Sequence, residues 1–83
     1  MYSIDFTESA RKEFLRMPTQ EQERIDSVLD RIRLKPYFFA MRLSGSKAYR
    51  IRVGKLRIIL DILEENQQII VLKLGNRETV YLP

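Results

Sequence analysis

The chain has 83 residues, of which 45% are apolar, and this predicts one domain over residues 1–83 with a single modest hydrophobic core. It contains no cysteine and no histidine, which excludes disulfides, zinc ribbons, thiolate nucleophiles and a histidine general base. Residues 1–35 carry seven basic and seven acidic side chains, whereas residues 36–83 carry eight basic and four acidic ones. The excess of positive charge in this second, basic half of the chain favours an acidic partner such as nucleic acid. No apolar run approaches ~20 residues and no signal peptide opens the chain, so we expect a cytoplasmic protein without a membrane segment.

The first 35 residues predict one strand followed by two helices. Apolar and polar residues alternate over residues 2–6, which is typical of a strand with one buried face. Thr7 is expected to cap the first helix. Thr19 and Gln22 have the spacing of a capping box at the start of the second helix, and Pro36 limits its end.

The rest of the chain predicts strands. Residues 37–43 are interpreted as a loop running into a strand, with an aromatic run that either packs or docks a partner. A hairpin follows over residues 49–62, then a nearly all-apolar strand over residues 69–74 that is expected to be central, then a short terminal strand over residues 79–82. The order predicts an α+β fold, β-α-α-β-β-β, with two N-terminal helices packed on an antiparallel sheet.

The hairpin carries the strongest functional signal. Gly54-Lys55 is a two-residue turn signal, because glycine adopts the positive φ that a type II′ turn requires. This turn would place Arg52 opposite Arg57, and both on the same side of the sheet as Arg50. Like charges directly opposite each other destabilise a sheet by ~0.2–1 kcal/mol, so these arginines do not stabilise the fold. They would instead be useful in a site that binds a polyanion. The other face of the hairpin is apolar and is the predicted core face.

Three other kinds of site are disfavoured. The second predicted helix has balanced charge, whereas a DNA-recognition helix is basic. The acidic residues of the basic half are scattered over a strand and loops, so we expect no metal site; they are Asp61, Glu64, Glu65 and Glu78. The three glycines lie at turn spacing and form no phosphate-binding loop, and no cofactor is expected.

Two segments together resemble the RelE toxins of prokaryotic toxin–antitoxin systems. They are G-S-K-A-Y-R-I-R-V-G-K-L-R-I-I at residues 45–59 and L-K-L-G-N-R-E-T-V-Y at residues 72–81. The resemblance covers the whole chain and implies a RelE-like fold. It also implies a toxin that enters the ribosomal A site and cleaves mRNA there without a metal, and a cognate antitoxin that inhibits it.

The resemblance implies catalytic roles for five residues. Arg50 and Arg52 would hold the RNA backbone and the charged transition state, and Arg57 would clamp a phosphate. Arg77 would assist the leaving group, and Tyr81 would stack on a base or accept the proton. The family pattern has lysines at the positions of Arg50 and Arg52, and a lysine can act as a base where an arginine cannot. If a lysine is the base in the family, this chain has either transferred that role to Tyr81 or lost the activity.

Plainer interpretations stay open beside these roles. The arginines of the hairpin could be a solvated sheet face, Arg77 could pair with Glu78 in a loop, and Tyr81 could be half-buried packing. Three lysines are predicted to bind RNA by charge: Lys47, Lys55 and Lys73. The related ParE toxins share the fold but inhibit DNA gyrase without cutting RNA, which is the alternative function.

Overall fold

The computed structural model describes residues 1–43, 45 and 47–76. Its elements are β1 (Ser3–Phe6), α1 (Glu8–Arg16), α2 (Thr19–Ile32), α3 (Pro36–Phe39), β2 (Met41–Arg42), β3 (Tyr49–Val53), β4 (Leu56–Leu63) and β5 (Gln68–Asn76). The terminal strand predicted over residues 79–82 lies outside the described residues. Within the part of the chain that is described, no helix is long and apolar enough to cross a membrane.

The five strands form one sheet in the order β1-β5-β4-β3-β2. This confirms the α+β class, the two N-terminal helices and the central position of β5, which lies between β1 and β4. The sheet is mixed rather than antiparallel throughout, because β1 pairs with β5 in parallel. The two helices separate β1 from the rest of the sheet in sequence, and such a crossover connection permits parallel pairing, whereas tight hairpins do not.

The hydrophobic core fills the space between the helices and one face of the sheet. Helix α2 contributes Ile25, Leu29 and Ile32 at helical spacing, and all three are buried. The sheet contributes side chains that are fully buried, namely Ile58, Leu60, Ile69, Val71 and Leu74. The helices therefore cover one face only, and the opposite face of the sheet is left for other uses.

A β-bulge in β5 changes which of its side chains face the core. Ile59 pairs with Lys73 but the next residue, Leu60, pairs with Val71, so β5 contains one extra residue at this point. The core side chains of β5 accordingly switch from Ile69 and Val71 to Leu74. In a regular strand Lys73 would share the face of Ile69 and Val71, because side chains alternate with period two. The bulge instead turns Lys73 to the face opposite the helices.

The segment after α2 is a short helix rather than the predicted loop. Pro36 occupies its first turn, where its missing N–H is no loss, and it is the buried residue of this helix. The strand that was expected to follow is present as the two residues of β2. The aromatic run therefore lies on a helical turn at the edge of the sheet.

Thr7 caps α1 as predicted, since its side chain accepts a hydrogen bond from the backbone N–H of Ala10. The predicted capping box at α2 is wrong. Pro18 is the residue at the cap position, no side chain caps the helix, and Thr19 already lies inside it. The side chain of Gln22 donates instead to the carbonyls of Phe14 and Met17, both at 3.0 Å, and so satisfies the end of α1.

This difference gives a paired stability test. We expect Gln22→Ala to lower the free energy of unfolding by about 1 kcal/mol, because the Met17 carbonyl loses its side-chain donor and the Phe14 carbonyl keeps only the backbone N–H of Met17. Thr19→Ala should change it by less than about 0.5 kcal/mol, because that side chain makes no cap. Urea denaturation of both variants measures the difference, and equal losses would show that Thr19 does cap α2.

Candidate nucleic-acid interface

The turn at Gly54-Lys55 forms the hairpin in the predicted register. Gly54 has φ of +60°, whereas Lys55 is not among the residues with positive φ, which is the combination of a type II′ turn. Val53 pairs with Leu56, Arg52 with Arg57 and Arg50 with Ile59. The hairpin prediction is therefore confirmed residue by residue.

The register gathers four cations on the face of the sheet opposite the helices. Arg52 lies directly opposite Arg57, and Arg50 lies two residues before Arg52 on the same side of β3. Across the next strand pair, Ile59 faces Lys73 and Arg57 faces Gly75. We call the set Arg50, Arg52, Arg57 and Lys73 the arginine face. It forms two adjacent rows across β3, β4 and β5.

Ile59 lies at the centre of the arginine face and is only 3% exposed. Arg50 and Lys73 flank it across the strands, and Arg57 precedes it by two residues on β4. Long basic side chains cover apolar surface with their stems while the charged groups stay in water. Ile59 thus provides an apolar floor over which the cationic groups of its neighbours are held.

Arg57 is half-buried, and its Nε is a buried donor without a hydrogen-bond partner among the described residues. Leaving such a donor unpaired costs ~1–3 kcal/mol, and more when the group is charged. A phosphate oxygen that approaches the face would supply the missing acceptor and pair with the guanidinium fork. An unpaired buried donor next to other cations makes this part of the sheet a candidate anion-binding site.

The other predicted site residues are less closely grouped. Lys55 is exposed at the hairpin turn, next to the row of Arg52 and Arg57, and Lys47 is exposed in the preceding loop. Arg77 and Tyr81 lie outside the described residues. Among the residues that the structure does describe, no group of three or more His, Cys, Asp or Glu side chains could hold a metal ion.

Sequence reasoning missed two features of this site. The first is the buried state of Ile59 on the open face, for which alternation alone gives no signal. The second is the bulge, which has one signal in the sequence: Lys73 interrupts an otherwise apolar run at a position that a regular strand would bury beside Ile69 and Val71.

Comparison with known proteins finds relatives of similar sequence and fold. No protein-family model matches the chain. A curated relative, RelE1 of Methanocaldococcus jannaschii, is 25% identical over 85 aligned positions, which cover 96% of this chain and 94% of the relative. The isolated RelE toxin of E. coli superposes with a TM-score of 0.86 at 24% identity, over 96% of this chain and 88% of that one.

The chain is similar to the RelE toxins: it has their fold over nearly its whole length and resembles RelE1 in sequence. A third comparison is with the archaeal RelE–RelB complex from Pyrococcus horikoshii, which matches with a TM-score of 0.80 and 23% identity over 95% of this chain and 98% of that one. Within this RelE-like fold the arginine face lies on the sheet face that the helices leave uncovered. The similarity in fold and sequence therefore agrees with the resemblance that the two sequence segments indicated.

Proposed function

We propose that this RelE-like chain is the toxin of a RelBE-type toxin–antitoxin system and cuts mRNA on translating ribosomes. The observation that carries the proposal is the arginine face, with the buried, unpaired Nε of Arg57 beside Arg52. Basic side chains at this spacing suit consecutive phosphates of a nucleotide chain, and the fork of arginine suits a charged phosphoryl group.

The proposed reaction uses the RNA's own 2′-hydroxyl. Its oxygen forms a bond to the adjacent phosphorus while the bond from phosphorus to the 5′ oxygen breaks, leaving a 2′,3′-cyclic phosphate and a 5′-hydroxyl. Arg52 and Arg57 would stabilise the negative charge on the phosphoryl oxygens, and Arg50 and Lys73 would hold the strand. Tyr81, as its phenolate, is proposed to accept the 2′-hydroxyl proton, and Arg77 to stabilise the charge on the leaving 5′ oxygen, which takes a proton from water to become the 5′-hydroxyl.

An inhibitory antitoxin is part of the proposal. The Pyrococcus horikoshii relative is seen in complex with RelB, and this supports a protein partner of the same kind here. Such a partner is expected to present acidic residues to the arginine face, because charge complementarity would both attract it and exclude RNA.

The decisive experiment adds the purified chain to ribosomes translating a defined mRNA and maps the 5′ ends by primer extension. We expect cuts within the codon in the A site and no cuts in the same mRNA without ribosomes. A parallel gyrase supercoiling assay tests the ParE-like alternative. Inhibited supercoiling with intact mRNA would overturn the proposed nuclease.

A further inference from the structure

The structure exposes an apolar groove at the end of α2 and along α3, lined by none of the residues of the arginine face. Arg31, Leu34, Lys35, Phe38 and Phe39 line its volume of about 320 Å³. Leu34 is 65% exposed and Phe38 75%, and the rings of Phe38 and Phe39 pack edge to face with centroids 5.0 Å apart. Contiguous apolar side chains rimmed by charge are typical of interaction sites rather than of an inert surface.

The rim of the groove is basic. Arg31 and Lys35 are four residues apart, so they lie on the same side of the chain, and no acidic side chain lines the groove. Neither residue forms an ion pair with a carboxylate within the described part of the chain, where the pair Lys12–Glu8 is the one present. The groove therefore offers apolar contacts in its centre and two cations without ion-pair partners at its edge.

We propose that this groove binds an amphipathic helix of the inhibitory partner, with apolar side chains in the groove and carboxylates against Arg31 and Lys35. An amphipathic helix in an apolar groove is a common recognition mode, with anchors at i, i+3, i+4 and i+7. Its acidic flanks match the rim. A second copy of this chain would bring like charges together at the same rim, which opposes self-association.

The groove is connected to the arginine face by Met41. This residue is 63% exposed and pairs with Arg50, so its side chain lies on the face opposite the helices. Phe39 and Met41 are two residues apart, a distance of roughly 7 Å in extended chain. A partner segment that leaves the groove over Met41 would next contact Arg50, which pairs with Met41. Anchoring in the groove would then place the following acidic residues over the arginine face.

The inference rests on the proposed function only for the inhibitory nature of the partner, and binding is testable by itself. The probe is a helical peptide of about five turns with leucine and phenylalanine on one face and glutamates beside them. Fluorescence anisotropy measures its affinity for the intact chain. We expect Phe38→Ser to weaken binding by about tenfold or more, because the most exposed ring of the groove is lost.

The matched controls use the same change elsewhere and the same peptide with reversed charge. Leu15→Ser should not change the affinity, since Leu15 is as exposed as Leu34 but lies on α1, outside this groove. A peptide with lysines in place of the glutamates should bind about tenfold more weakly. The double variant Arg31→Glu, Lys35→Glu should reverse that preference. Far-ultraviolet circular dichroism confirms that each variant folds.

Several results would overturn the inference. Equal affinities for the two peptides, or an unchanged affinity in the Phe38→Ser variant, would show that the groove does not bind an acidic helix. Displacement of the peptide from the groove by an RNA oligonucleotide would identify RNA as the ligand. A dimer that Phe38→Ser dissociates would identify a second copy of the chain as the partner. The binding assay contains no ribosome or mRNA, so its failure leaves the nuclease assay unaffected, and failure of the nuclease assay leaves the docking result standing. A peptide extended past Met41 with further glutamates should also inhibit mRNA cutting, whereas the unextended peptide should not.

Discussion

Replacing Arg57 with alanine is expected to lower the rate of mRNA cutting on ribosomes by about 10²–10³-fold, the effect of removing one donor to developing negative charge. Arg57 lies directly opposite Arg52 and two residues before Ile59 on β4, and its buried Nε lacks an acceptor. Arg57→Lys should recover only part of the loss, because a lysine supplies charge but not the planar fork. Single-turnover cutting of a defined mRNA measures both variants.

The control for this prediction is Arg42→Ala. Arg42 is an exposed arginine on the neighbouring strand β2, but it pairs with Tyr49, whose side of β3 is the core side. The substitution removes the same charge without touching the arginine face, so the rate of cutting should change less than about threefold. Equal losses in the two variants would mean that Arg57 acts through net charge alone.

Stability provides a second control for the role of Arg57. Arg57→Ala removes a buried donor that lacks a partner but also uncovers Ile59, and because these two effects oppose each other the melting temperature should change little. A residue needed only for folding would lower it. A loss of cutting with a stable fold therefore assigns Arg57 to the site, whereas a loss of both would assign it to the architecture.

Replacing Leu60 with alanine is expected to destabilise the fold more than any surface substitution. Leu60 is fully buried on the core face of β4, opposite Tyr49 on β3 and Val71 on β5, so the cavity would lie at the middle of the sheet. A cavity of this kind costs about 2–5 kcal/mol. For a domain of this size that corresponds to a fall in melting temperature of roughly 10–30 °C.

The comparison variant is Leu15→Ala, at a leucine that is 65% exposed on α1. It loses the same atoms from a site in contact with water, so the free energy of unfolding should change by less than about 0.5 kcal/mol. Thermal unfolding followed by circular dichroism measures both. Similar melting temperatures for the two variants would show that the core is not centred on β4.

Local pattern was sufficient for the hairpin because every residue in it gave the same indication. Gly54 favours a turn with positive φ, and the flanking residues alternate between apolar and basic side chains, so a register shifted by one residue would bury arginines. The capping box predicted at Thr19 was wrong because that pattern considers the residues of a single helix. Gln22 is instead used by the end of a different helix, and no spacing within α2 contains that information.

The sequence by itself determined the α+β class, the hairpin register and the common side of Arg50, Arg52 and Arg57, because these follow from alternation and a turn within a short stretch of chain. Only the tertiary structure decided that β1 joins β5 in parallel, that a bulge turns Lys73 to the arginine face, and that Ile59 lies buried among the cations. These depend on which segments pair across long separations in sequence. Such pairing is selected by packing of the whole core, which no local pattern specifies.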